Sequence, residues 1–169
     1  MLKKVALASL ACLAFASGSA SATQIPSNLS VSATVIGVCT FTTPNAIAFG
    51  NVSSTSTQID LAAVNIRVDC STGIPYTIGM NNGTAVTGFR DMQSGGNTLR
   101  YNVFTDAARA NAFTAIGTGG PGNIAGTGTN PNVAGAPSPI NVPIYPSILT
   151  QATPPTGSYT DTLIVTLQY

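Results

Sequence analysis

The segment from Tyr159 to Tyr169 constrains the fold more than any other. Tyr159, Asp161, Leu163, Val165, Leu167 and Tyr169 stand on one parity, and Thr160, Thr162, Ile164, Thr166 and Gln168 on the other. A period of two kept from end to end belongs to a β-strand with one buried face. The same period recurs from Ile25 to Val35, where Leu29, Val31, Ala33 and Val35 are separated by Ser30, Ser32 and Thr34. It appears again from Ile59 to Cys70, with Val64, Ile66 and Val68 set against Asn65, Arg67 and Asp69. Tyr76 to Met80 is a short strand closed by Asn81-Asn82-Gly83, residue types that tolerate positive φ. Leu99 to Phe104 is another, following Gly95-Gly96-Asn97. Ile140 to Tyr145 reads as an edge strand, because Pro143 has no N–H to give a ladder.

Between these runs the chain is full of breakers. Gly 17 and Pro 11, with abundant Ser and Thr, argue against helices and for short strands joined by turns. Asp106 to Ala112 offers the one helical turn. Residues 117–139 are so dense in Gly and Pro that no packed element is expected there, only a long loop. The resulting fold class is all-β: one β-sandwich with an immunoglobulin-like plan.

Charge excludes whole classes of function. Charged residues are 7% of the chain, against about 25% in ordinary soluble proteins. There is no His and no Glu, and the only lysines are Lys3 and Lys4. Beyond residue 22 four arginines (67, 90, 100, 109) face five aspartates (60, 69, 91, 106, 161). Four scattered arginines make no phosphate-neutralising stripe, so nucleic acid is not an expected partner. Ser-His-Asp chemistry lacks its His and Ser-Lys chemistry its Lys, and no aspartate sits in an active-site turn such as Asp-Thr-Gly. No enzyme, catalytic residue, metal site or cofactor is expected. Gly117 to Gly122 superficially resembles a phosphate loop, but a Gly/Pro-rich stretch follows it instead of a helix. The sequons at Asn28, Asn51 and Asn82 are expected by chance in so Asn-, Ser- and Thr-rich a chain.

Met1 to Ala22 has the plan of a secretory signal peptide: Lys3 and Lys4, an apolar run from Val5 to Ala16, then Ala20-Ser21-Ala22. Cleavage is expected between Ala22 and Thr23. The apolar run is shorter than the roughly 20 residues a spanning helix needs, so no retained membrane anchor is expected. Cleavage discards Cys12 and leaves Cys39 and Cys70 in an oxidising compartment, where a single disulfide follows. Closing such a loop stabilises a fold by roughly 3–4 kcal/mol in the chain-entropy model. Two thiols without His or Glu cannot complete a metal shell. High β-propensity with almost no Lys or Glu to blunt strand edges is also the composition of chains that pair edge to edge.

Several motifs, in order, resemble the spore coat protein U domain family, which includes subunits of archaic chaperone-usher pili. They are the strand running into Cys39, Phe49-Gly50, the strand closing on Cys70 and Gly73-Ile74-Pro75-Tyr76-Thr77-Ile78. Leu99 to Arg109, Val142-Pro143-Ile144-Tyr145 and Gly157 to Tyr169 continue the likeness over the rest of the chain. Phe113-Thr114 replaces a Trp-Gly that many members carry, and residues 117–139 are longer and richer in glycine than usual. The resemblance implies an incomplete immunoglobulin-like sandwich, completed by a donor strand from a periplasmic chaperone and then from a neighbouring subunit at an outer-membrane usher. The implied organisation is a signal peptide at 1–22, a donor-strand extension at 23–31 and a pilin-like domain at 32–169. Ile25, Leu29 and Val31 would be the donor residues; Leu163, Val165, Leu167 and Tyr169 would edge the acceptor groove. The implied function is that of a homopolymeric pilus subunit serving adhesion or biofilm formation, exported through the periplasm to the cell surface. Two alternatives remain at this level: a secreted coat or matrix protein that forms no fibre, and a small ligand-binding β-sandwich.

Overall fold

Cys39 and Cys70 are direct cross-strand partners, with Cα atoms 4.1 Å apart, and they form a disulfide. The bridge joins β1 (Cys39–Thr42) to the end of β3 (Val64–Cys70), and the first sheet is built outward from this pair. The structure is a computed structural model that describes residues 23–43, 46–83, 89–117, 122–131 and 138–169. The expected signal peptide, residues 1–22, lies outside the described residues. The chain divides into two units, Met1–Thr34 and Val35–Tyr169.

In the first unit, the described residues 23–34 form no strand and are exposed. The alternation over 25–35 predicts a strand with a buried face, but Ile25, Leu29, Val31 and Val35 are all exposed. Period two sets which side chains share a face. It supplies no ladder, and a lone strand is unstable in water.

The second unit is all-β among its described residues. Its larger sheet has the order β1-β3-β8-β6-β5, where β5 is Arg90–Ser94, β6 Asn97–Phe104 and β8 Ile140–Ile148; β2 (Ile59–Asp60) also pairs with β8. The smaller sheet has the order β7-β4-β9, from β4 (Pro75–Met80), β7 (Ile124–Thr127) and β9 (Val165–Gln168). The core between them holds Ile66 and Val68 of β3, Ile78 of β4, Val103 of β6, and Ile144 and Ile148 of β8, all wholly buried.

Three local expectations are corrected. Ile140 to Tyr145 is no edge: it belongs to the longest strand, between β3 and β6. Its prolines fit because β8 changes partner along its length. Pro143 is laddered only with β3, opposite Asn65; Pro146 lies opposite Val103 of β6, and its carbonyl accepts from the Leu61 N–H after β2. A proline that needs a ladder on one side alone loses little by lacking a donor. Asp106 to Ala112 is a tight turn instead of a helix: the Asp106 carboxylate accepts from the N–H groups of Ala110 and Asn111, and Arg109 takes φ 56°. Within 117–139 a strand does form, β7, in register with β4. Its Gly126 serves close approach, since a Cβ there would lie 2.4 Å from the Tyr76 ring. No expectation covers β5, which joins β6 through Gly95-Gly96, both at positive φ as a tight hairpin requires. Its sequence, Arg90-Asp91-Met92-Gln93-Ser94, carries too little apolar alternation to read as a strand.

Two outcomes follow. Replacing both Cys39 and Cys70 by Ser should lower stability by about 3 kcal/mol, read from the urea midpoint by circular dichroism, with β1 the first element to open. Gly126→Ala should destabilise by about 1–3 kcal/mol, because the Tyr76 ring must shift; thermal unfolding would measure it.

Candidate functional site: an open trough in the sandwich

The segment leading into β9 changes sheet. Thr160 exchanges backbone hydrogen bonds with Gln93 of β5, at 2.8 and 3.1 Å, whereas Val165 to Gln168 ladder with β4 of the other sheet. Asn81 fixes the crossing: its N–H donates to the Ile164 carbonyl and its Oδ1 accepts from the Ile164 N–H. β9 is laddered with β4 on one side, and no described strand pairs its other side.

Beside that crossing lies a cavity of about 700 Å³. Phe41, Ile47 and Phe49 form one rim; Tyr159, Leu163 and Val165 form the other. Its floor is the core itself, including Ile66, Met80 and Ile144. A second hollow of about 800 Å³ shares Ile47, Phe49, Met92 and Tyr159 with the first and extends along residues 153–158. Thr55 braces that end. Its N–H donates to the Thr153 hydroxyl, its hydroxyl donates to the Gln151 carbonyl, and its own carbonyl accepts from the Gln151 N–H. Protein interiors hold few voids larger than a water molecule, so empty space of this size against core side chains marks a place for an apolar occupant.

The expected groove residues fall where the parity puts them. Leu163, Val165 and Leu167 are half-buried and pack on the core, while Thr162, Ile164, Thr166 and Gln168 are exposed. Tyr169 lies beyond the last paired residue and is exposed. Of the expected donor residues, Ile25, Leu29 and Val31 are exposed in the first unit.

A buried polar cluster beside the trough was not singled out by sequence reasoning. Arg90 is wholly buried, and its guanidinium ties the two sheets together. It donates to Asn102 Oδ1 of β6 at 2.5 Å, to the Asn81 carbonyl after β4 at 2.8 and 3.0 Å, and to the Phe113 carbonyl at 2.6 Å. Burial pulls the Arg90 pKa down, opposed by the nearby Tyr101 and Asp161. The Tyr101 hydroxyl donates to Asp161 Oδ2 at 2.7 Å, and the Thr162 N–H donates to Asp161 Oδ1 at 2.8 Å. Burial first, and then the bond to Asp161, push the Tyr101 pKa far above its usual value, so the phenol stays a donor. A signal did exist: Arg90 follows a turn, and Asp161 is the lone charge on an apolar parity. Elsewhere Asp69 of β3 is buried and accepts from Asn130. Asp60 accepts from Ser147, an interaction that with Gln58 and Arg109 holds its carboxyl below the usual range.

A model of the Spore Coat Protein U domain matches residues 25–166. The chain belongs to that family. No curated protein matches the sequence. Among solved structures, this Spore Coat Protein U domain is similar to a chain of the CsuC–CsuE chaperone–tip adhesion subunit pre-assembly complex from the archaic chaperone-usher Csu pili of Acinetobacter baumannii. The match has a TM-score of 0.53 at 20% identity and covers 80% of this chain. The domain spans 41% of that chain's length, and the likeness at this identity is one of fold.

Removing the inter-sheet tie should be severe. Arg90→Met removes the guanidinium from Asn102 Oδ1 and leaves the carbonyls of Asn81 and Phe113 without that donor, a loss of about 3–5 kcal/mol in urea unfolding. Arg90→Lys should recover only part of it, because one ammonium cannot reproduce the planar fork.

Proposed function

We propose that this chain is a structural, non-catalytic subunit of a surface pilus, polymerised by donor-strand exchange through a chaperone-usher system. The observation that carries the reading is the trough: a sandwich core left open beside β9, floored by buried apolar side chains. Residues 23–31 supply a matching part, an exposed segment with Ile25, Leu29 and Val31 on one parity. In this reading a periplasmic chaperone fills the trough first, and the extension of the next subunit replaces it at the outer-membrane usher. Main-chain bonds along β9 give affinity, and each buried large apolar side chain contributes roughly 1.5–3 kcal/mol. Membership of the Spore Coat Protein U domain family and the likeness to a chaperone–subunit complex of a pilus support the same assignment. Cleavage after Ala22, export to the cell surface, and a role in adhesion or biofilm formation belong to this proposal.

The test is a denaturing gel of material sheared from producing cells, run with and without boiling. The expected result is a ladder of multiples of the mature mass that collapses on boiling, since the disulfide is internal to each subunit. Deleting residues 23–30 should leave a folded subunit that gives no ladder. A ladder surviving that deletion would sink the assignment.

A further inference from the structure

The trough has one charged side chain on its rim. Asp161 stands on the parity of Tyr159, Leu163 and Val165 in the run that lines the trough, and it is the one charged residue of a lining that also holds Thr43, Thr160 and Thr162. Each carboxylate oxygen accepts one hydrogen bond, from Tyr101 and from the Thr162 N–H, which leaves acceptor capacity on both. In the open trough water can fill that capacity. Once an apolar strand covers the trough, a carboxylate with unfilled acceptors is costly.

The exposed segment 23–34 carries a matching exception. Its odd positions are Thr23, Ile25, Ser27, Leu29, Val31 and Ala33, so from Ile25 onward the apolar parity is broken once, by Ser27. We infer that Ser27 of one copy donates its hydroxyl to Asp161 of the next, and that this pair sets the register of the inserted strand; the inference rests on the proposed strand exchange. Run antiparallel to β9 with Ser27 opposite Asp161, the segment places Ile25 at Leu163 and Leu29 at Tyr159. Thr23 then falls at Val165 and Val31 at Gly157, so both hollows are filled. A parallel strand with the same pairing would carry Leu29 to Leu163 and Val31 to Val165, and would bring Thr23 instead of Val31 to Gly157 at the hollow along 153–158. Shifting the antiparallel strand by two residues would set Ile25 or Leu29 against the carboxylate, an unpaired charge against an apolar side chain. Register in a half-apolar strand is otherwise weakly fixed against such two-residue slips, because each slip preserves the inward parity. The buried Arg90, close enough to Asp161 for their charges to interact, keeps the covered carboxylate compensated.

The experiment uses the mature chain assembled into polymer, with dissociation followed on unboiled denaturing gels over a range of temperatures. Ser27→Val should dissociate about tenfold faster than wild type or more, the scale of one unsatisfied buried polar group. Ser27→Thr should dissociate at the wild-type rate. In an Asp161→Leu background, Ser27→Val should no longer accelerate dissociation. Register is read directly by cross-linking: Ile25→Cys with Leu163→Cys keeps Ser27 and Asp161 in place, and should give a ladder that resists boiling and collapses with reductant. Ile25→Cys with Asp161→Cys, or with Val165→Cys, should not. The inference is overturned if Ser27→Val polymer dissociates at the wild-type rate, or if position 25 cross-links to 161 or 165 in place of 163. Failure of strand exchange itself would look different: no ladder from wild type, or a ladder that survives deletion of residues 23–30.

Discussion

Arg90 donates across the sandwich, and much of the architecture depends on that set of hydrogen bonds. Sheets packed face to face are normally held by the apolar side chains between them. Here one flank of the core opens into the trough, so burial cannot fix the spacing of the sheets along that flank. The guanidinium does so instead, bonding Asn102 of the larger sheet, the Asn81 carbonyl at the end of β4, and the Phe113 carbonyl. The segment at Phe113 repeats the tie in backbone form. Its N–H donates to the Val103 carbonyl of the larger sheet, while the Thr114 carbonyl accepts from the Met80 N–H of the smaller one. A planar, fully charged donor fork suits the task because carbonyl acceptors from several directions converge on one buried point.

The disulfide plays the corresponding part on the opposite rim. β1 is four residues long and pairs with β3 alone, yet it carries Phe41, one wall of the trough. So short an edge strand would fray if held only by its ladder. Placing Cys39 directly opposite Cys70 makes its attachment covalent, so the rim stands while the trough is empty. Together the two devices let a core persist with one side uncovered.

Much of this was legible in the chain, and what was not has specific physical causes. The parity of 159–169 assigned the inward faces of Leu163, Val165 and Leu167, and the cysteine count assigned the bridge. The same rule failed for 25–35, because periodicity describes faces and says nothing of whether a partner strand exists. Pro143 points to an edge only where a central strand would be laddered on both sides, and at Pro143 β8 pairs with β3 alone before handing over to β6. Gly126 was read as a breaker when its role is to admit the Tyr76 ring, a tertiary contact invisible from neighbours in sequence. Arg90 was hidden for the same reason: its partners lie at 81, 102 and 113, on three different elements.

The near absence of charge acquires a meaning from the trough. Beyond residue 22 the chain has four arginines and five aspartates, of which Arg90 and Asp69 are buried, so its surface has little electrostatic repulsion to keep copies apart. An open trough floored by core side chains, beside a strand edge that no described strand pairs, adds the means for them to join. In the proposed function a free copy sits between two outcomes, indiscriminate association and ordered insertion of one strand. Apolar area alone does not separate them, because any β-prone segment could bury it. Discrimination has to come from the few features that penalise wrong occupants: the length of the trough, the inward parity of its rim, and the single carboxylate within it. A chain with almost no charge can use one aspartate in this way, since no other carboxylate on the same rim competes with it for the matching polar residue.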